Sequence, residues 1–239
     1  MSEPDLSVVV FAFDEEANIA PVLRELTSWL SEHEPSAEVV FVDDGSSDDT
    51  FAEAAKALAG SRHQLLRHER NRGIGAALKT GVRSAKGAWV TFLPADGQIA
   101  PDAIATLRRA AARDRADVVF SVYDRRDDGI HRKILSAGVR ALILVVHGVR
   151  MQSDGPYLFR RALFDPDMLR PDTFFLNFEF PIRMLGANVP ASVVTIECRP
   201  RRSGQSKSTD LRRIYGVAQD LLELRLRRFK ESLEHKARA

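Results

Sequence analysis

VVFVDDGSSDDT, Val39 to Thr50, is an apolar β-branched run that stops on two adjacent carboxylates, a glycine and a polar cluster. A strand buried on both faces of a parallel sheet reads this way, and open α/β sheets hold their ligands outside the carboxyl ends of such strands. Asp43, Asp44 and the polar residues behind them therefore mark an edge at which to look for function. Taken alone, Asp-Asp-Gly serves equally well as a turn and helix cap.

Working outward, Leu6 to Phe13 is a second apolar run, ending at Asp14-Glu15-Glu16, acids suited to a first helical turn. Ile19, Val22, Leu23, Leu26 and Leu30 follow at helical spacing. After Thr50 the pattern continues with a helix carrying Phe51, Ala54, Ala55 and Leu58, and a short strand from Gln64 to His68. Next come NRGIGAALKTG (Asn71 to Gly81), a strand from Ala88 to Leu93 ending in PADGQIAPD, a helix from Pro101, and a strand from Asp117 to Val122. This βαβαβαβαβ succession predicts an α/β fold, a doubly wound and mostly parallel sheet with helices on both faces. The second half predicts an apolar helix over Ile134 to Val146, strands at Tyr157 to Arg160 and Val193 to Cys198, a helix at Asn177 to Leu185 between them, and a terminal helix.

The 239 residues suit one large domain, residues 1–207, with an amphipathic helical tail at 208–239. With 35 Lys and Arg against 33 Asp and Glu, the net charge of +2 gives no global field for nucleic acid. A single cysteine, Cys198, excludes a disulfide framework and a cysteine-built zinc site. No apolar run reaches the length of a membrane span, and the amino terminus lacks a secretory signal. The expectation is a cytoplasmic protein, peripheral at a membrane face at most.

Four strand ends, FAFDEE, DDGSSDD, NRGIG and PADGQ, arrive at one edge. Acids there hold base and ribose hydroxyls, or a divalent metal that in turn binds phosphate, so the combination suggests a sugar nucleotide. Two other nucleotide motifs fail. Gly73-Ile-Gly75-Ala-Ala-Leu78 lacks the last glycine of the dinucleotide fingerprint and follows the third strand, and Gly81-Val82 breaks a Walker loop.

These residues resemble inverting glycosyltransferases of family 2, in particular the polyprenyl-phosphate sugar transferases. VVVFAFDEEANI, VVFVDDGSSDDT and NRGIGAALKTG match three motifs of that family in order. The resemblance implies the GT-A nucleotide-diphospho-sugar transferase fold, with Phe11, Phe13, Glu15, Asp44 and Asp96 binding the nucleotide. It implies Mg²⁺ or Mn²⁺ at Asp96 and Gln98, and Asp96 and Glu179 as catalytic residues, Glu179 being a base if one is used and otherwise a structural acid. In SVYDRRDDGIHRKILS, Arg126, Asp128, Arg132 and Ser136 occupy matching places, and in RPRRSGQSK so do Arg201, Gly204, Ser206 and Lys207. Of these, Arg132 and Ser136 would approach the acceptor phosphate, Arg201, Gly204, Ser206 and Lys207 would lie near phosphate groups, and Arg126 joins this acceptor- and phosphate-binding set.

The pattern also departs from the family. The metal-binding Asp-x-Asp appears as Pro94-Ala95-Asp96, Asn177 replaces a usual acid, Cys198 replaces a frequent histidine, and Asp154 before Gly155 stands in for another absent acid. The implied reaction is transfer of a sugar from a UDP- or GDP-sugar to a lipid phosphate. A soluble transferase acting on a saccharide or small-molecule hydroxyl, and a noncatalytic sugar-nucleotide-binding protein, are the alternatives. The terminal helix, with Leu211, Ile214, Ala218, Leu221, Leu222 and Phe229 beside Arg212, Arg213, Arg225, Arg227, Arg228 and Lys230, reads as core packing, a homodimer contact or an interfacial membrane helix.

Overall fold

The computed structural model describes residues 3–60, 63–124, 130–169, 172–200 and 211–238. The elements are β1 (Leu6–Ala12), α1 (Glu16–His33), β2 (Glu38–Asp43), α2 (Thr50–Ala57), β3 (Gln64–Arg67), α3 (Ile74–Ser84), β4 (Trp89–Pro94), α4 (Asp102–Asp114), β5 (Val118–Tyr123), α5 (Ile130–His147), β6 (Leu158–Arg160), α6 (Leu176–Gly186), β7 (Ala191–Ile196) and α7 (Leu211–Arg238). They build one seven-stranded sheet in the order β3-β2-β1-β4-β6-β5-β7. β1 pairs in parallel with β2 and β4, β2 with β3, and β5 with β7, whereas β6 runs antiparallel to both its neighbours.

Alternation along the strands divides the core between two layers. Val8 and Val10 of β1 and Val39 and Phe41 of β2 face Ile19, Leu23 and Leu26 of α1 and Ile104 and Leu107 of α4. Val9, Val40 and Val42 face Ala77, Leu78 and Val82 of α3, with Phe180 of α6 in the same layer. All of these are nearly or fully buried, so the apolar runs are continuous because both faces of the sheet are covered. A Cβ at Gly81 would lie 2.3 Å from Val9 Cγ1, and the absence of a side chain there lets α3 settle directly on β1.

Along the chain the sheet grows from β1 through β2 to β3, then returns to place β4 on the other side of β1. This reversal opens a crevice between the carboxyl ends of β1 and β4, the position at which doubly wound sheets bind ligands. At the opposite edge Glu38 is buried and satisfied, accepting from the Ser7 hydroxyl, the Gln64 amide and the Lys86 N–H. Acids at the two ends of these strands therefore have different work, bracing at one and lining a crevice at the other.

A third core joins the carboxyl-terminal elements. Ile143 of α5, Ile182 of α6, and Leu221 and Leu224 of α7 are buried together with Met151 and Phe175. The single stripe expected on the last helix is thus split, because Leu221 and Leu224 pack inward while Leu222, Leu226 and Phe229 are exposed. The expected division at 207/208 falls outside the described residues. β7 lies two residues earlier than expected, since its register with β5 begins at Val118↔Ala191.

Candidate active site

At the β1/β4 crevice lies an open cleft of about 570 Å³, within the size range of small-molecule and cofactor sites. It is lined by the end of β1 (Phe11 to Asn18), by Asp44 and Asp48 after β2, by Asn71, Gly73, Ile74 and Ala77 at the start of α3, and by Pro94, Ala95 and Asp96 after β4. Five of the residues expected to bind a nucleotide, Phe11, Phe13, Glu15, Asp44 and Asp96, therefore meet in one cavity. Phe11 and Phe13 are half-buried there and bring aromatic area to its wall.

The first two strand ends are laced to each other. Asp14 adopts a left-handed backbone with φ 52°, a conformation Asp tolerates better than most residues. Its N–H donates to Ser46 Oγ at 2.9 Å, and its Oδ1 accepts from the Ser47 N–H at 2.9 Å. The Glu15 N–H donates to Thr50 Oγ1 at 2.8 Å, and the Glu16 N–H donates to Asp48 Oδ2 at 3.2 Å. Burial works against the charge of Asp48, but the hydrogen bonds from Thr50 and Glu16 outweigh it and hold this carboxyl below its usual range. The polar cluster SSDDT is thus the fastening of the platform that carries Phe11, Phe13 and Glu15.

The third strand end is clamped by Asp44, which accepts from the Arg72 N–H at 3.0 Å and the Gly73 N–H at 2.8 Å. Gly45, at φ 74°, permits the close approach, because a Cβ there would stand 2.3 Å from the Arg70 carbonyl carbon. At the fourth, Asp96 is 7% exposed and its Oδ1 accepts from the Gln98 N–H at 3.1 Å. Gln98 turns its amide nitrogen to the Arg199 carbonyl at 3.4 Å, and the Arg199 N–H donates to the Gln98 carbonyl at 2.8 Å. Gln98 does not line the cleft; it fastens the segment from which the basic stretch departs to the loop that carries Asp96.

Six carboxylates line the cleft, Asp14, Glu15, Glu16, Asp44, Asp48 and Asp96, and no lysine, arginine or histidine does so among the described residues. Two like charges about 5 Å apart at an effective dielectric of about 20 repel by about 3 kcal/mol. A diphosphate in this cleft therefore requires cations from elsewhere. The described residues hold no cluster of three or more His, Cys, Asp or Glu suited to a metal. A buried carboxylate on the cleft floor nevertheless fits Mg²⁺ or Mn²⁺, hard cations that accept one or two protein carboxylates and fill the rest of their shell with phosphate oxygens and water.

Glu179 does not reach the cleft. It is fully buried on α6, where Oε1 accepts from Arg183 Nε at 2.9 Å and Arg227 Nη1 at 3.1 Å, and Oε2 accepts from Arg227 Nη2 at 3.0 Å. Arg183 in turn donates to both carboxylate oxygens of Glu231, at 2.9 and 3.1 Å. These four residues clasp α6 to α7, an arrangement that suits a structural acid. Asp154 accepts from Arg140 at 2.6 Å and also lies away from the cleft. Ser136 is half-buried on α5, outside the cleft lining. Arg126, Asp128, Arg201, Gly204, Ser206, Lys207 and the side chain of Arg132 lie outside the described residues.

Asp14, Asp48 and Asn71 line the cleft without having been singled out individually, although each belongs to a motif that was. His68 was missed entirely. The available signal was its place at the end of the strand beside β2, where it adjoins Asp44.

With this geometry in place, the sequence profile of glycosyl transferase family 2 matches residues 7–181. The chain belongs to glycosyl transferase family 2. Among family relatives, an undecaprenyl-phosphate 4-deoxy-4-formamido-L-arabinose transferase of Sodalis glossinidius is 33% identical over 164 residues, covering 67% of this chain and 50% of that protein. A dolichol-phosphate mannosyltransferase of Mycosarcoma maydis is 31% identical over 152 residues, covering 59% and 51% respectively. The chain thus spans about half the length of these relatives. The GT-A architecture is that of the glucosyl-3-phosphoglycerate synthase of Mycobacterium tuberculosis, crystallised with Mn²⁺, UDP-glucose and phosphoglyceric acid. It superposes with a TM-score of 0.70 at 21% identity, over 94% of this chain and 79% of that one.

Proposed function

We propose that this family 2 chain transfers a sugar from a nucleoside diphosphate sugar, UDP- or GDP-linked, to a polyprenyl phosphate, with inversion at the anomeric carbon. The observation that carries the proposal is the acid-lined, cation-poor cleft at the β1/β4 switch point, with Asp96 on its floor. Relatives named for polyprenyl-phosphate transfer supply the acceptor class.

In this reading Phe11 and Phe13 pack on the nucleoside, Asp44 accepts from its base, and Glu15 helps fix the ribose. Asp96 would hold Mg²⁺ or Mn²⁺, which when bound neutralises charge building on the departing diphosphate. Gln98 keeps the Arg199 segment beside the Asp96 loop, and Arg201, Ser206 and Lys207 are assigned to phosphate groups. Arg126, Arg132 and Ser136 are assigned to the acceptor phosphate.

The clasped state of Glu179 favours a phosphate over a hydroxyl acceptor. A phosphate monoester, with a second pKa of about 6, is already ionised near neutral pH and needs positioning more than a base. Attack of its oxygen on the anomeric carbon forms the new glycosyl bond as the bond to the diphosphate breaks, and no proton has to be moved.

The same acceptor places the chain at a membrane face. No helix among the described residues is long and apolar enough to cross a membrane. On α7, however, Leu222, Leu226 and Phe229 are 57%, 62% and 62% exposed, with Arg225 and Lys230 also exposed, as on an interfacial helix. A second copy of the chain is the competing occupant of that stripe, and flotation with anionic vesicles against sedimentation of the protein alone separates the two.

Incubation with UDP- and GDP-sugars, Mg²⁺ and undecaprenyl phosphate in detergent tests the function, with formation of a glycosyl phospholipid expected. Transfer only to a sugar or small-molecule hydroxyl would contradict the lipid acceptor. Nucleotide-sugar binding with no transfer to any acceptor would replace catalysis by a binding role, the alternative that Pro94 raises.

A further inference from the structure

Asp44 is held by more than the turn it clamps. Besides the Arg72 and Gly73 N–H groups, its Oδ1 lies 2.7 Å from Nδ1 of His68, and the other ring nitrogen lies 2.9 Å from Thr80 Oγ1 on α3. The Asp44 and His68 side chains are only 6% and 7% exposed. An ionised carboxylate only accepts, so the geometry assigns the Nδ1 proton to His68, leaving Nε2 to the Thr80 hydroxyl.

The carboxylate has about four acceptor positions. Oδ1 uses two, on His68 and Arg72, and Oδ2 uses one, on Gly73. The backbone donors belong to the 71–73 turn and the imidazole to the residue that follows β3, so the carboxylate is held from two points of the chain. Among the described residues one acceptor position is left, on Oδ2, and Asp44 lines the cleft. A nucleobase with a ring N–H, as in uracil, thymine or guanine, can satisfy it. Cytosine and adenine present a ring acceptor instead, which a fixed carboxylate repels.

We infer that His68 is a positioning residue for base selection: through Nδ1 it holds Asp44 so that Oδ2 accepts from the ring N–H of a nucleobase. This rests on the nucleotide reading above and adds the residue that sets its specificity. A hydrogen bond to a charged group, when its geometry is lost, is worth about ten- to a hundredfold in discrimination.

The test uses calorimetry with UDP, GDP, CDP and ADP in Mg²⁺, comparing the ratio of dissociation constants for the ring N–H nucleotides against the ring-acceptor ones. Wild type should prefer UDP over CDP or GDP over ADP. H68Q, whose amide extends toward the Nε2 position, and H68L should collapse that ratio about tenfold or more. H68N, whose amide nitrogen falls near Nδ1, should retain it. Thermal midpoints, run in parallel, separate recognition from bulk stability. If H68Q and H68L lower the midpoint but leave the ratio within about twofold, His68 is only a packing residue and the inference fails while nucleotide binding stands. If wild type itself shows no preference or binds none of the four, the failure lies in the underlying reading.

Discussion

Pro94 occupies a strand end where family 2 enzymes usually present a carboxylate, and it pairs in register with Phe11 on β1. A proline ends the ladder there because it has no N–H to donate, and it leaves Asp96 as the acid at the end of β4. Pro94→Asp should strengthen Mn²⁺ binding by about tenfold, measured by calorimetry with UDP present; unchanged affinity with a lowered thermal midpoint would show that the loop has diverged from metal-binding geometry. Elsewhere in the core, Tyr157 is fully buried among Phe92, Phe159 and Phe180, and its hydroxyl has no hydrogen-bond partner among the described residues. Burial accordingly pushes this phenol well above its ordinary range. Tyr157→Phe should keep the ring packing, remove an unsatisfied donor and stabilise the fold by about 1 kcal/mol, read from denaturant unfolding. Asp44 and Asp96 were legible from sequence because each sits at the end of an apolar strand. The contact between His68 and Asp44 was not, because only the pairing of β2 with β3 brings residues 24 positions apart within hydrogen-bond distance.

At the scale of elements, the strands and α1 to α4 could be read because every apolar run in a doubly wound sheet has one meaning. The strand at Tyr157 to Arg160 was legible too, as β6, but not its antiparallel place between β4 and β5, which is set by pairing alone. From sequence Glu179 stands open between a base and a structural acid, because Arg227, its partner on α7, lies 48 residues away. The two roles separate cleanly. Glu179→Gln should lower the unfolding free energy by on the order of 3 kcal/mol, by taking from Arg227 the carboxylate it pairs with and leaving Arg183 with Glu231 alone, while folded protein retains turnover. Loss of turnover with an unchanged thermal midpoint would restore the base.

The contact of α5 with α7 is also sensitive to acid. His147 is buried with Nε2 at 3.1 Å from the Leu221 carbonyl. Burial lowers its pKa, the Leu221 bond opposes this, Arg228 and Arg225 lower it further, and Glu179 opposes again, leaving the ring below its ordinary range. The folded state therefore binds fewer protons than the unfolded one. The stability from this group is complete above the unfolded value near 6.5 and is lost as pH falls through the lower folded value. Amide exchange in α7 should accelerate relative to β1 between about pH 7.5 and 5.5, and His147→Gln should remove that difference.

In the whole molecule, the sheet reversal at β1 and β4 creates the crevice, the laced loops after β1 and β2 hold its shape, and the clasp that ties α6 to α7 stays outside the cleft lining. The charge imbalance of the cleft is the property from which the functional account follows: six carboxylates facing a diphosphate are tolerable only with a cation between them. Calorimetric titration of UDP and GDP into wild type and Asp96→Ala, with Mg²⁺ and then with EDTA, measures this directly. At least one nucleotide should bind wild type only with Mg²⁺, and Asp96→Ala should weaken that binding by about tenfold or more. Binding that survives EDTA and is unchanged in Asp96→Ala would contradict a metal-bridged diphosphate at this site.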